Sequence, residues 1–193
     1  MNPNKKITLY DIVGVGFMAA VVFVCTMFLS IRIPTPTGTT MIKLANAFVL
    51  LSGLLLGGWR GGLAAGFGSM FFDLMTPEFV ADAPVTFLRF FLMAYICGMI
   101  SHWGGAMARK HLRNFAACAI AAVFSSVFYA AKSILALMFG GSAFMPAVAA
   151  SIPKLLTSIP NTVIAVVVAM ALLPALQSAF ASTVFGQRLL GKI

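Results

Sequence analysis

Three cations stand inside otherwise apolar stretches of this 193-residue chain: Arg89, Lys132 and Lys154. A charge at the centre of a membrane span costs roughly 2.5–3.5 kcal/mol on insertion scales, so each needs a partner or a task. Around Lys132, the residues Ser125, Tyr129, Lys132 and Ala136 follow helical i, i+4, i+7 spacing, with Ser126 and Ser133 beside them. Around Lys154, a second stripe runs through Thr157, Ser158, Asn161 and Ala165, with Pro160 inside it. Residues at that spacing share one helix face, and a polar face must point away from lipid. Two such faces carrying cations suit the wall of a pocket for a small polar molecule. The other reading is that these groups join helices, with Asp73 pairing with Arg89. Both readings stand for Arg89, whereas ligand contact is the favoured one for Lys132 and Asn161.

The stretch Arg32-Ile33-Pro34-Thr35-Pro36-Thr37-Gly38-Thr39-Thr40 offers uncharged hydroxyls on a proline-stiffened loop, suited to a lid. Candidate substrate-binding residues are therefore Thr37, Thr39, Glu78, Arg89, Tyr129, Lys132, Lys154, Ser158 and Asn161. Near the outer half of the spans, four cations (Lys43, Arg89, Lys132, Lys154) face three acids (Asp73, Glu78, Asp82). The excess of one favours a carboxylate or phosphate ligand and leaves a neutral one open.

Other chemistries lack their residues. No G-x-x-x-x-G-K-[ST] phosphate loop occurs, so ATP hydrolysis is not expected of this chain. Ser69, in Gly66-Phe67-Gly68-Ser69, could be an intramembrane nucleophile only with a histidine in hydrogen-bond reach. His102 and His111 lie at the far edge of other elements, so Ser69 reads as a small packing residue. No carboxylate cluster flanks the histidines, so no metal site is expected. Cys25, Cys97 and Cys118 fall in apolar runs and read as small buried hydrophobes rather than a disulfide framework. The chain is expected to be a non-enzyme with no permanently bound cofactor.

The elements that must position these residues follow from composition. The chain is 61% hydrophobic and only 9% charged, with a mean hydropathy of +1.03. A soluble domain carries roughly 25% charged residues, so the outer surface here must face lipid. Apolar segments at about 12–31, 42–57, 61–75, 85–102, 115–139 and 153–176 predict six transmembrane helices in one domain over residues 1–193. The first is about 20 residues long and ends in Arg32-Ile33-Pro34, so it reads as a retained span, not a signal peptide. The second and third are short, and Gly53, Gly57, Gly62, Ala65 and Gly66 permit close helix packing there.

A net charge of +9 could suggest nucleic acid, but its placement argues for a multi-pass membrane protein. With the N-terminus inside, Lys5, Lys6, Arg60, Arg109, Lys110, Arg113, Arg188 and Lys192 are cytoplasmic, against Arg32 and Lys43 outside. That bias predicts both termini in the cytoplasm of an all-α bundle. On the first helix, Gly16 and Ala20 form a small-x-x-x-small patch that would admit a second helix at close range, from the same bundle or from a partner.

The stretch from Pro34-Thr35-Pro36-Thr37-Gly38 through Met41-Ile42-Lys43-Leu44-Ala45-Asn46-Ala47-Phe48-Val49-Leu50-Leu51 and Gly57-Gly58-Trp59-Arg60-Gly61-Gly62-Leu63-Ala64-Ala65-Gly66-Phe67-Gly68-Ser69 to Asp73-Leu74 resembles the substrate-binding (S) components of energy-coupling factor (ECF) vitamin transporters, in their riboflavin/hydroxymethylpyrimidine-like branch. The resemblance covers the first four spans; later ones match in length and polarity. It implies six helices, termini inside, and an outward-facing pocket that captures a water-soluble vitamin or precursor. It also implies a transmembrane coupling (T) subunit meeting Gly16 and Ala20, two partner ATPases, a prokaryotic plasma membrane, and an Asp73–Arg89 acid–base pair. The family's alanine at the first patch position is Gly16 here. A stand-alone secondary transporter is a further reading, but it would need an intramembrane acid and has only Asp73, at the end of a span. A non-transporting scaffold would not need the polar stripes.

Overall fold

The computed structural model describes residues 8–35, 38–105, 108 and 110–182. Among them are six α-helices: α1 (Leu9–Phe28), α2 (Ala45–Leu56), α3 (Gly58–Met75), α4 (Ala83–His102), α5 (His111–Phe139) and α6 (Phe144–Ser182). Two antiparallel strands, β1 (Ser30–Thr35) and β2 (Gly38–Lys43), link α1 to α2, with Ser30 opposite Lys43 and Thr35 opposite Gly38.

This hairpin is the main departure from the expected plan. Ile31, Ile33 and Thr35 alternate with Arg32 and Pro34, the period-2 spacing of a strand. Pro34 sits on an edge strand, where a missing donor is tolerated. The apolar start of the expected second span, at 42–43, therefore belongs to β2, and the helix begins only at Ala45.

At 1.5 Å per residue, the 12 residues of α2 reach about 18 Å, short of a hydrocarbon core of about 30 Å. Its burial accounts for its composition: every residue except Phe48 is buried. α2 touches all five other helices, so it is the centre of the bundle and has no lipid-facing side. A helix that is apolar all round belongs in such a core. Among the described residues, four segments are long and apolar enough to cross a membrane: Leu9–Phe28, Val80–Gly105, His111–Phe139 and Phe144–Phe180.

Small residues set the spacing around α2. A Cβ at Gly53 would run into the Ala94 carbonyl of α4, and one at Gly61 would meet the Ser52 and Gly53 backbone. Gly57 turns α2 into α3 in a single residue at φ +84°, a conformation that side chains with a Cβ seldom adopt. Leu50, Leu51, Leu54, Met93, Cys97 and Cys118 fill the resulting core. The Cys97 and Cys118 sulfurs lie 3.8 Å apart, and all three cysteines are free and buried.

The outer helices are built with their polar side inward. On α6 the exposed residues Ile152, Leu156, Ile159, Val163 and Val167 form one apolar stripe. The opposite face carries Lys154, Ser158, Asn161, Thr162 and Ala165. That arrangement suits lipid outside and a polar interior. α6 keeps helical structure through Pro153, Pro160 and Pro174, running well past the expected 153–176 at both ends. At the start of α1, the Asp11 carboxylate accepts the Thr8 backbone N–H (3.0 Å) and pairs with Arg60 of α3 (3.1 Å), tying the two helices together.

Candidate functional site

A cavity of about 500 Å³ opens between β2, α4, α5 and α6, roofed by the turn between α3 and α4. That volume lies within the usual range for small-molecule sites. Eight of the nine residues expected to bind substrate line it: Thr39, Glu78, Arg89, Tyr129, Lys132, Lys154, Ser158 and Asn161. Thr37 lies outside the described residues. From the two polar stripes, Ser125, Ser126, Ala136 and Ala165 also reach the wall. Thr157 does not; its hydroxyl donates to the Lys154 carbonyl at 2.8 Å. Ser133 turns instead to Ser151, whose hydroxyl lies 3.3 Å away.

The α4 cation is held on α5. Arg89 Nε donates to the Ser125 carbonyl (3.1 Å) and to its Oγ (2.8 Å). Its guanidinium carbon sits 4.6 Å from the Tyr129 ring centroid and 4.9 Å from that of Phe90. Cation–π contacts of this kind contribute about 0.5–2 kcal/mol each. The expected Asp73–Arg89 ion pair is not among the ion pairs of the described residues. Asp73 is buried at the end of α3, where its charge acts on both Arg89 and Lys43 without direct contact to Arg89.

Lys132 is paired rather than free, with its Nζ 2.5 Å from Asp82 Oδ2. That bond joins α5 to the turn before α4 across the mouth of the cavity, and both side chains keep partial exposure. Asn161 is committed to the hairpin: Oδ1 accepts the Lys43 backbone N–H, and Nδ2 donates to the Met41 carbonyl, each at 2.7 Å. The side-chain amide thus takes the place of a neighbouring strand along β2 and anchors the hairpin to α6. Ser126 and Thr162 join α5 to α6 at 3.0 Å.

Lys43 and Asn46 also line the cavity and were not among the nine binding candidates. Lys43, at the end of β2, places its Nζ 5.2 Å from the Phe72 ring and 5.9 Å from that of Phe90. Burial pushes its ammonium down to about 8, with Asp73 drawing it back up and Arg89 and Arg32 pushing it further down. Asn46, on the first turn of α2, is only 7% exposed, and its Oδ1 has no hydrogen-bond partner. Leaving a buried acceptor unmatched costs about 1–3 kcal/mol. The signal that could have found both is their spacing: Lys43 and Asn46 are three residues apart at the entry to an apolar helix.

Gly16 and Ala20 do not line this cavity; they are exposed on α1, and a Cβ added at Gly16 would meet nothing within 4 Å. The bundle itself does not use the patch. With Phe17 and Val24 it forms an outward apolar face.

Comparison with known proteins gives one family match. A family model described as ECF-type riboflavin transporter, S component, matches residues 6–178. No curated protein matches the chain.

Proposed function

From the premise that the chain belongs to the ECF-type riboflavin transporter S component family, and so is a substrate-binding transporter subunit of a membrane protein complex rather than an enzyme, we propose that it captures a water-soluble vitamin or vitamin precursor at the outer face of a prokaryotic plasma membrane. The observation that carries this reading is the cavity itself. Residues from β2, α4, α5 and α6, among them the polar stripes of α5 and α6, converge on one space of about 500 Å³. A scaffold has no use for Arg89, Lys43 and Lys154 around a shared void, because each costs insertion energy.

In this reading six helices span the membrane, with α2 shielded from lipid by the others and both termini cytoplasmic. The cavity then opens outward, since Glu78, Asp82 and the hairpin lie at the end opposite Arg60 and Lys110. The chain carries no phosphate loop, so energy comes from two ATPases through a T subunit. S components associate with such partners, and the exposed Gly16–Ala20 face of α1 is the docking surface proposed for the T subunit. Small residues there let a partner helix approach closely.

The test is a thermal-shift and calorimetric screen of the purified chain against water-soluble vitamins and their precursors. At least one should bind in one-to-one stoichiometry and stabilise the fold. A screen without any binder would remove the capture reading.

A further inference from the structure

The charges around the cavity are not evenly distributed. Lys132 and Asp82 cancel across its mouth. Around the Phe90 ring stand two cations, Lys43 and Arg89, each within 6 Å of its centroid. Among the described residues, Asp73 is the carboxylate whose field bears on both, so this end of the cavity holds the positive excess.

Arg89 is also presented in a particular way. Ser125 occupies Nε, and the guanidinium carbon lies over the Tyr129 and Phe90 rings. Neither terminal nitrogen has a hydrogen-bond partner among the described residues, although Arg89 lines the cavity. A guanidinium with its terminal nitrogens available offers the fork that matches a carboxylate or phosphate. Asn46 supplies the complementary element on the same wall: a buried carbonyl oxygen with no donor to accept from.

We propose that the Phe90 end of the cavity is a subsite for an anionic group of the substrate, a carboxylate or phosphate, gripped by Arg89 and Lys43 while Asn46 Oδ1 accepts an N–H or O–H of the same molecule. The substrate class is then a small organic anion with a hydrogen-bond donor, a departure from riboflavin, the neutral molecule for which the matching family model is named. This rests on the capture reading above.

The experiment uses chemical twins that differ only in the anionic group: nicotinate with nicotinamide, pyridoxal 5′-phosphate with pyridoxal, and flavin mononucleotide with riboflavin. Affinities for the full-length purified chain are measured by calorimetry, the first pair reporting a carboxylate and the other two a phosphate. In at least one pair the anion should bind ten times more tightly than its twin, and in no pair the reverse. Arg89→Gln and Lys43→Gln should each bring that ratio below threefold, by weakening the anion more than its neutral twin. Asn46→Leu should weaken both members of the pyridoxal and flavin pairs equally, and should spare nicotinate, which has no donor for Oδ1. Should Arg89→Gln fail to fold, Lys43→Gln and the wild-type ratios still decide. Neutral twins binding as tightly as their anions would overturn the subsite and leave capture intact. Absence of binding across the whole vitamin screen would overturn capture and the subsite with it.

Discussion

Asn161 on α6 and Lys43 on β2 are joined through the Lys43 backbone rather than its side chain: Asn161 Oδ1 accepts the Lys43 N–H at 2.7 Å. The return bond from Nδ2 to the Met41 carbonyl completes a two-point clamp, and the clamp is what orients the Lys43 ammonium over Phe72 and Phe90. Replacing Asn161 by Leu strands a backbone donor and acceptor. We expect a stability loss of about 1–3 kcal/mol, faster hydrogen exchange at the Lys43 amide, and weaker ligand binding through a loosened hairpin. Unchanged exchange at Lys43 in the Asn161→Leu protein would contradict the clamp.

The Lys132–Asp82 pair spans the mouth with both side chains partly exposed. Pairs of that kind contribute about 0.2–1 kcal/mol. Lys132→Met should therefore cost little folding stability, and a double-mutant cycle with Asp82→Asn should give a coupling below about 1 kcal/mol. A coupling of several kcal/mol would mean that the pair is a structural bolt rather than a gate-side contact.

Lys43 makes the binding of an anion depend on pH. Its pKa is lowered to about 8, so the group is charged below that pH and neutral above it. The charges facing it are Asp73, Arg89 and Arg32, from α3, α4 and β1. Affinity for nicotinate, whose carboxylate stays ionised throughout, should fall as pH rises through about 8. Lys43→Gln should flatten that profile. A flat wild-type profile would exclude a direct role for the ammonium.

Gly16→Leu and Ala20→Leu separate folding from assembly. Nothing in the bundle lies within 4 Å of a Cβ at Gly16, and Ala20 is exposed, so both variants should fold and bind ligand normally. Co-purification with a T subunit should be lost, because the larger side chains hold the partner helix away. Normal assembly of both variants would place that interface elsewhere.

Much of the site was legible because helical spacing is local. Ser125, Tyr129 and Lys132, like Lys154, Ser158 and Asn161, fall on one face by periodicity alone, and the cost of a buried charge marks them as purposeful. The partners were not legible, because they depend on contacts distant in sequence. Lys132 meets Asp82 across 50 residues, and Asn161 meets Lys43 across 118. The expected Asp73–Arg89 pairing had the right elements, but Ser125 and Tyr129 claim the guanidinium. The hairpin stayed hidden behind its prolines, and Asn46 behind the apolar run it introduces.

The most direct test of capture coupled to partner subunits compares the chain alone with the chain plus a T subunit and two ATPases, in proteoliposomes loaded with ATP. The ligand is whichever vitamin or precursor the binding screen identifies, supplied outside in labelled form. The expected result is equal binding in both preparations, with accumulation inside only in the complete assembly. Sustained accumulation by the chain alone, or none by the complete assembly despite tight binding, would contradict it.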